Sequence, residues 1–94
     1  MATFIMFGKY SRDSIGEISA KRTEQAKELI KKNGGEIKAG YSLLGKTDLI
    51  LIVELPDSKL AMKTSIGLSK MLGISFTTSP AVSMEDFDKL MEGV

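Results

Sequence analysis

The sequence predicts an α+β fold in which two helices lie on one face of a four-stranded antiparallel sheet. Three observations carry that reading. Strand-like and helix-like periodicities alternate in the order β-α-β-β-α-β. The two middle strands are joined by a connection short enough to demand an antiparallel hairpin. Both long helical stretches begin at a capping residue and end at glycine.

Ala2–Tyr10 is rich in β-branched and aromatic residues and opens the chain as a strand. Its apolar residues do not alternate with polar ones. Phe4 and Met6 face one way, Ile5 and Phe7 the other, so both faces call for cover. Residues 11–18 read as a polar loop with a turn at Ser14–Glu17. Ser19 then caps a helix through Asn33, because its hydroxyl can accept a free first-turn N–H. Ala26, Leu29 and Ile30 form the buried stripe, and Lys21, Lys27, Lys31 and Lys32 lie elsewhere. Glu24 and Glu28 stand one turn before lysines, Glu28 before Lys32. Asn33-Gly34-Gly35 is a left-handed stop.

Glu36–Leu43 alternates as a strand with Ile37, Ala39, Tyr41 and Leu43 on one face. Gly45-Lys46-Thr47 makes a tight connection to a second strand, Asp48–Leu55. That strand is apolar almost throughout, which predicts a central place with both faces covered. Glu54 is its one interior charge. Asp57 or Ser58 caps the next helix, whose inner side is Leu60, Ala61, Thr64, Leu68, Met71 and Leu72, and Gly73 ends it. Gly67 costs this helix about 1 kcal/mol relative to alanine, a cost consistent with close packing on the sheet or with simple tolerance. Ile74–Ser79 forms the last strand, with Ile74, Phe76 and Thr78 on one side, and Pro80 either ends it or marks an edge. Ser83-Met84-Glu85-Asp86 begins a short amphipathic helix carrying Phe87, Leu90 and Met91. The arrangement is ferredoxin-like, and right-handed crossovers put both main helices on one face.

Ninety-four residues suit a single domain spanning 1–94. The chain has no cysteine and no histidine, so thiolate chemistry, disulfides and every His-dependent catalytic arrangement are excluded. The net charge of +1 gives no field to attract nucleic acid or a membrane, and no basic stripe or aromatic ribonucleoprotein motif is present. The distribution is bipolar, +4 over residues 1–46 and −3 over residues 47–94, a pattern that fits solvated helix faces or subunit contacts. The apolar run Ala2–Phe7 is too short to span a bilayer and follows no basic segment, so the expected location is cytoplasmic. Neither GxGxxG nor GxxxxGK[ST] occurs, and no cofactor is expected. The acidic cluster Glu85, Asp86, Asp88 and Glu92 lacks calcium-loop spacing. Met62, Met71, Met84 and Met91 read as core or interface filler.

With both helices on one face, the other face of an apolar sheet is left bare. Covering ~600 Å² of it at ~25 cal/mol/Å² contributes on the order of 15 kcal/mol per subunit before association costs. The economical cover is a second copy, sheet on sheet, in a two-fold homodimer, with higher oligomers as an extension. The short C-terminal helix could hide only part of such a face.

Several residues together resemble one family. They are Gly8-Lys9-Tyr10 at the end of the first strand, Arg22 early in the first helix, and Gly34-Gly35 after it. They continue with Tyr41–Asp48, Glu54-Leu55-Pro56-Asp57, and Gly73 before the last strand. On these the chain resembles the GYD-domain family of the dimeric α/β-barrel group, over nearly its whole length. The name-giving Gly-x-Tyr-Asp reads Gly45-Lys46-Thr47-Asp48 here, with Thr47 in place of tyrosine and Gly45 and Asp48 kept. The resemblance implies a ferredoxin-like fold and oligomers built on the sheet face, and it implies no reaction. A weaker similarity links the chain to the ligand-binding domains of feast/famine regulators, which also carry a Gly-x-x-Asp hairpin. No DNA-binding module precedes it, so a complete regulator is not expected.

Each candidate residue has a functional and a plainer reading. Asp48 could aim its carboxylate at a ligand or accept backbone N–H bonds in the hairpin. Gly45 supplies a positive φ in that turn. Glu54 would be a general base if buried, since burial raises a carboxyl pKa, or would pair with a lysine. Arg22 could bind an anion or form a surface ion pair. Lys9, Tyr10 and Tyr41 could contact a ligand, or the tyrosines could pack their rings and wet their hydroxyls. Two functions follow. The first is a homo-oligomeric module for small-molecule binding or assembly, with no catalysis assigned. The second is a cofactor-independent monooxygenase- or isomerase-like enzyme using Glu54 and Asp48 as acid and base, which needs both in one enclosed pocket.

Overall fold

Eight elements follow one another in the computed structural model, which describes residues 1–94. They are β1 (Ala2–Tyr10), α1 (Arg12–Ile15), α2 (Ala20–Lys32), β2 (Glu36–Ser42), β3 (Leu49–Leu55), α3 (Ser58–Leu72), β4 (Ile74–Ala81) and α4 (Met84–Leu90). The four strands form one antiparallel sheet in the order β2-β3-β1-β4, the ferredoxin-like arrangement. The two long helices share one face. Ala26 and Ile30 of α2 and Ala61, Leu68 and Leu72 of α3 close over Phe4, Met6, Val53, Leu55 and Ile74 of the sheet. At the helix–helix contact, Asn33 Nδ2 donates to Thr64 Oγ1 at 2.8 Å, so the buried polar pair satisfies itself.

Caps account for the helix limits. The Ser19 hydroxyl accepts from the Arg22 amide, and the Asp57 carboxylate accepts from the Leu60 amide at 2.9 Å. Gly34 follows α2 at φ +86°, and Gly73 ends α3 at φ +68°, a left-handed conformation that glycine adopts without steric penalty. Gly35 is required for a different reason. It lies so close to β3 that a Cβ there would collide with the Glu54 carbonyl oxygen.

The structure corrects several expectations. Residues 12–15 form a helical turn instead of a loop. The Ser11 hydroxyl accepts from the Ser14 amide while Ser14 Oγ accepts from the Ser11 amide, a capping box with serine in the place of the usual Glu or Gln. A β-bulge between Ile37 and Ala39 shifts the register of β2. Ile37 therefore packs toward the helices, while Ala39 and Tyr41 pair with Ile52 and Ile50 on the opposite face. Leu43 lies beyond the strand. β4 runs on through Pro80 to Ala81, which proline permits because β4 is an edge strand. Gly67 admits Leu29 of α2, not the sheet. Met71 is exposed, as are Met62, Met84 and Met91; the methionine in the core is Met6. On α2 the intrahelical ion pair is Glu24–Lys27 at 3.5 Å, with Glu28 and Lys32 unpaired.

The face opposite the helices carries Ile5 and Phe7 of β1 against Ile52 and Ile50 of β3, flanked by Ala39 and Tyr41. Phe7 is 37% exposed and Tyr41 60%. Helix α4 does not cover it. Every residue of α4 is exposed, Phe87 and Leu90 included.

Candidate functional site

The hairpin between β2 and β3 is fastened by Asp48. Its amide donates to the Gly8 carbonyl and its carbonyl accepts from the Leu43 amide, both at 2.8 Å. Its carboxylate accepts from the Tyr10 amide, also at 2.8 Å. Asp48 thus spends its side chain on the end of β1. Gly45, at φ +139° with open space around it, makes the turn. Lys9 reaches over the same hairpin and donates from Nζ to the Lys46 carbonyl at 3.0 Å.

Glu54 sits on the open face at the other end of β3. It lies six positions along the chain from Asp48, a span of about 20 Å in a strand. In the β2–β3 register Glu54 lies directly opposite Glu36, a like-charge pair that is unfavourable by itself. Lys38, brought onto this face by the bulge, bridges the two at 3.0 Å to Glu36 and 3.4 Å to Glu54. The Glu36 carboxylate first, by hydrogen bond and charge, and then Glu54 raise the Lys38 pKa above its ordinary value. Glu54 and Asp48 therefore share no pocket, and the acid–base pairing on which an enzyme would depend is not formed.

Arg22 forms the ion pair that its plainer reading offered, with Glu17, and takes a further role that the sequence did not show. Nη1 donates to the Ser14 carbonyl at 3.0 Å, and Nη2 donates to the Leu72 carbonyl at the end of α3. Glu17 lies 3.8 Å away. The guanidinium ties α1 and the last turn of α3 to α2, so its donors are used inside the fold.

The sheet face that meets the helices is not completely filled. Between α2 and the β2–β3 side of the sheet lies a cleft of about 850 Å³. A smaller recess of about 100 Å³ continues beneath the start of α2. Tyr10, Thr23, Ile37, Leu49 and Leu51 line both. Gly40 keeps the cleft open on the β2 side, where a Cβ would stand 3.1 Å from Leu51 Cδ2. Lys27 and Lys31 border the outer end. Of the predicted site residues, Tyr10 lines both spaces, Arg22 borders the recess and Tyr41 borders the cleft; Lys9, Asp48 and Glu54 line neither. Thr23, Lys31 and Gly40 were not candidates in the sequence. Their one signal there is the small or polar residue repeatedly facing an apolar strand, which is too common to single out a site. No three acidic side chains come together to hold a metal ion.

The fold and the site define a small ferredoxin-like protein with a fastened hairpin, a bare sheet face and an open helix-side cleft. The chain belongs to the GYD-domain family, whose pattern matches residues 4–91. Among solved structures it is similar to the Mycobacterium tuberculosis leucine response regulatory protein LrpA, at 7% identity and a TM-score of 0.58. That match covers 88% of this chain and 51% of the other. It is also similar to an unknown protein from Galdieria sulphuraria, at 19% identity and a TM-score of 0.58, covering 88% of this chain and 46% of the other. The chain thus spans about half the length of the structures it resembles, and at these identities the likeness is one of fold. No curated protein matches it in sequence.

Proposed function

We propose that the protein is a homodimeric small-molecule-binding module, closed sheet face to sheet face, without catalytic machinery of its own. The observation that carries this reading is the open face, where Ile5, Phe7, Ile50 and Ile52 form an apolar patch that neither α4 nor any other element covers. A two-fold partner presents the same patch and satisfies both copies at once. Charged groups stand at its margin, Lys9 at one end and the Glu36–Lys38–Glu54 cluster at the other, the usual rim of an interface. The helix-side cleft supplies a separate space for a ligand. A protein named for its response to leucine shares the fold, which supports the binding reading at the level of fold. No helix is long and apolar enough to cross a membrane; the cytoplasmic setting that goes with this reading rests on the sequence.

Native mass spectrometry of gently purified protein tests it. The expected spectrum shows an even number of subunits and an extra mass that leaves on activation. A monomer at micromolar concentration overturns the assembly, and an even multimer that never carries extra mass under any preparation overturns the binding role.

A further inference from the structure

The cleft between α2 and the sheet has an internal gradient that restricts what can fill it. Its floor is apolar, formed by Ile37, Leu49 and Leu51, and the recess extends that floor to Ile74 and Phe76. Two residues that carry hydroxyls, Tyr10 and Thr23, line it. Tyr10 meets Asp48 through its amide and not through its ring hydroxyl, and Thr23 reaches the space from the exposed side of α2. Charged side chains border it, Lys27 and Lys31 from α2 and Glu36 with Lys38 from β2, the last two paired with each other at 3.0 Å. Lys27 is shared with Glu24 at 3.5 Å, whereas the chain's five ion pairs leave Lys31 without an acidic partner. A volume of about 850 Å³ lies within the range of about 300–1,000 Å³ common for small-molecule sites.

We infer that this cleft binds a mostly apolar monocarboxylate, with its hydrocarbon or aromatic body over Leu49 and Leu51 and its carboxylate at Lys31. The inference rests on the small-molecule part of the function proposed above and names its ligand class. The apolar floor favours a body that loses its water on entry. One unpartnered lysine matches one negative charge, and a polyphosphate would leave most of its charge without a counterpart. The Tyr10 and Thr23 hydroxyls can each donate to an oxygen on the ligand.

Decanoate is the probe, titrated into the full chain and followed by two-dimensional ¹H–¹⁵N NMR. Saturable shifts are expected at Thr23, Lys31, Gly40, Leu49 and Leu51. Decanol, with the same chain and no charge, should bind about two- to five-fold more weakly, as should decanoate to Lys31→Glu, because the lysine pair is solvent-exposed. Thr23→Trp, which fills the cleft from an exposed helix position, should abolish the shifts while leaving a folded spectrum. The inference is overturned if shifts fail to saturate, if they map to Ile5, Phe7, Ile50 and Ile52, or if Thr23→Trp binds as well as the parent. Equal binding of decanol and decanoate overturns the carboxylate. Light scattering on the same samples separates the two readings. A dimer that ignores decanoate removes the ligand and keeps the assembly, and a monomer that binds it does the reverse.

Discussion

Substituting Ile52→Glu tests the sheet-face dimer at its centre. Ile52 lies on β3, one of the two inner strands, and pairs with Ile5 on one side and Ala39 on the other. It is half-buried in the single chain, so only part of its transfer energy depends on association. Full burial of an isoleucine is worth about 1.5–3 kcal/mol, which leaves about 1–2 kcal/mol per copy for the interface. A two-fold interface contains the residue twice, giving about 2–4 kcal/mol and a dissociation constant about 30- to 700-fold weaker. Desolvating the new carboxylate adds to that loss. Sedimentation equilibrium over a concentration series reads the constant directly. Ile66→Glu is the control, since it makes the same chemical change on the outer side of α3, where the residue is 57% exposed. In the monomer, Ile52→Glu should retain native circular dichroism, because the strand propensity scale spans only ~1 kcal/mol. A dissociation constant within three-fold of the parent refutes the reasoning, as does equal damage from Ile66→Glu.

Four further outcomes follow from the geometry. Asp48→Ala strips the Tyr10 amide of its acceptor and should cost about 1–3 kcal/mol in urea unfolding, with Asp48→Asn recovering part of it; equal stability of Ala and Asn would show that the bond contributes nothing. Gly35→Ala drives a methyl into the Glu54 carbonyl and should destabilise by about 3 kcal/mol or more, visible as poor expression or a sharply lowered melting temperature. Lys38 should titrate by ¹³C NMR with a midpoint above 10.5, and Glu36→Gln should lower that midpoint more than Glu54→Gln. The sign follows from linkage: with its folded pKa raised, the Lys38 contribution is complete below 10.5 and is lost as pH rises through the folded value. Removing residues 83–94 from the Ile52→Glu monomer should change its stability by less than about 0.5 kcal/mol, because every residue of α4 is exposed; a larger loss would place α4 against its own chain.

The elements that depend on local chemistry were legible in the sequence. Ser19, Asp57 and Ser83 each cap the helix that follows them, and Gly73 ends α3 in the left-handed region. The apolar pattern of β1 and β3 likewise reported strands with two faces to occupy. What escaped was set by tertiary register. A bulge adds one residue without changing composition, so the alternation Ile37-Ala39-Tyr41 gives no sign that the strand changes face after Ile37. The same bulge brings Lys38 beside Glu54, so of the two readings of that charge the lysine pair is the one formed, with a partner that the sequence did not name. The second role of Arg22 escaped for a related reason, since the Leu72 carbonyl it caps lies fifty residues away in sequence. Helix α1 was missed because its cap uses Ser14 where the common pattern has a longer acid or amide.

The residues that mark the family bear on function indirectly. The Gly45–Asp48 stretch lines neither the cleft nor the recess, yet it determines where Tyr10 stands, because Asp48 holds the Tyr10 amide while its own amide holds the Gly8 carbonyl. Gly8 must be small for that hairpin to close, since a Cβ there would press within 2.8 Å of Leu49 Cδ2 and 2.9 Å of Phe76 Cε1. Leu49 and Phe76 in turn line the recess that Tyr10 borders. The motif thus acts as a fastener whose mechanical consequence is the shape of the cleft, and Thr47 can replace tyrosine without disturbing it, because the contacts that matter come from Asp48. A family match carried by such a motif transmits a geometry. In the binding role proposed above, the ligand would be set by positions the motif does not contain, Thr23 and Lys31 on α2 and Gly40 on β2, so relatives that keep Gly45 and Asp48 but vary these three should share the fold and differ in what they bind.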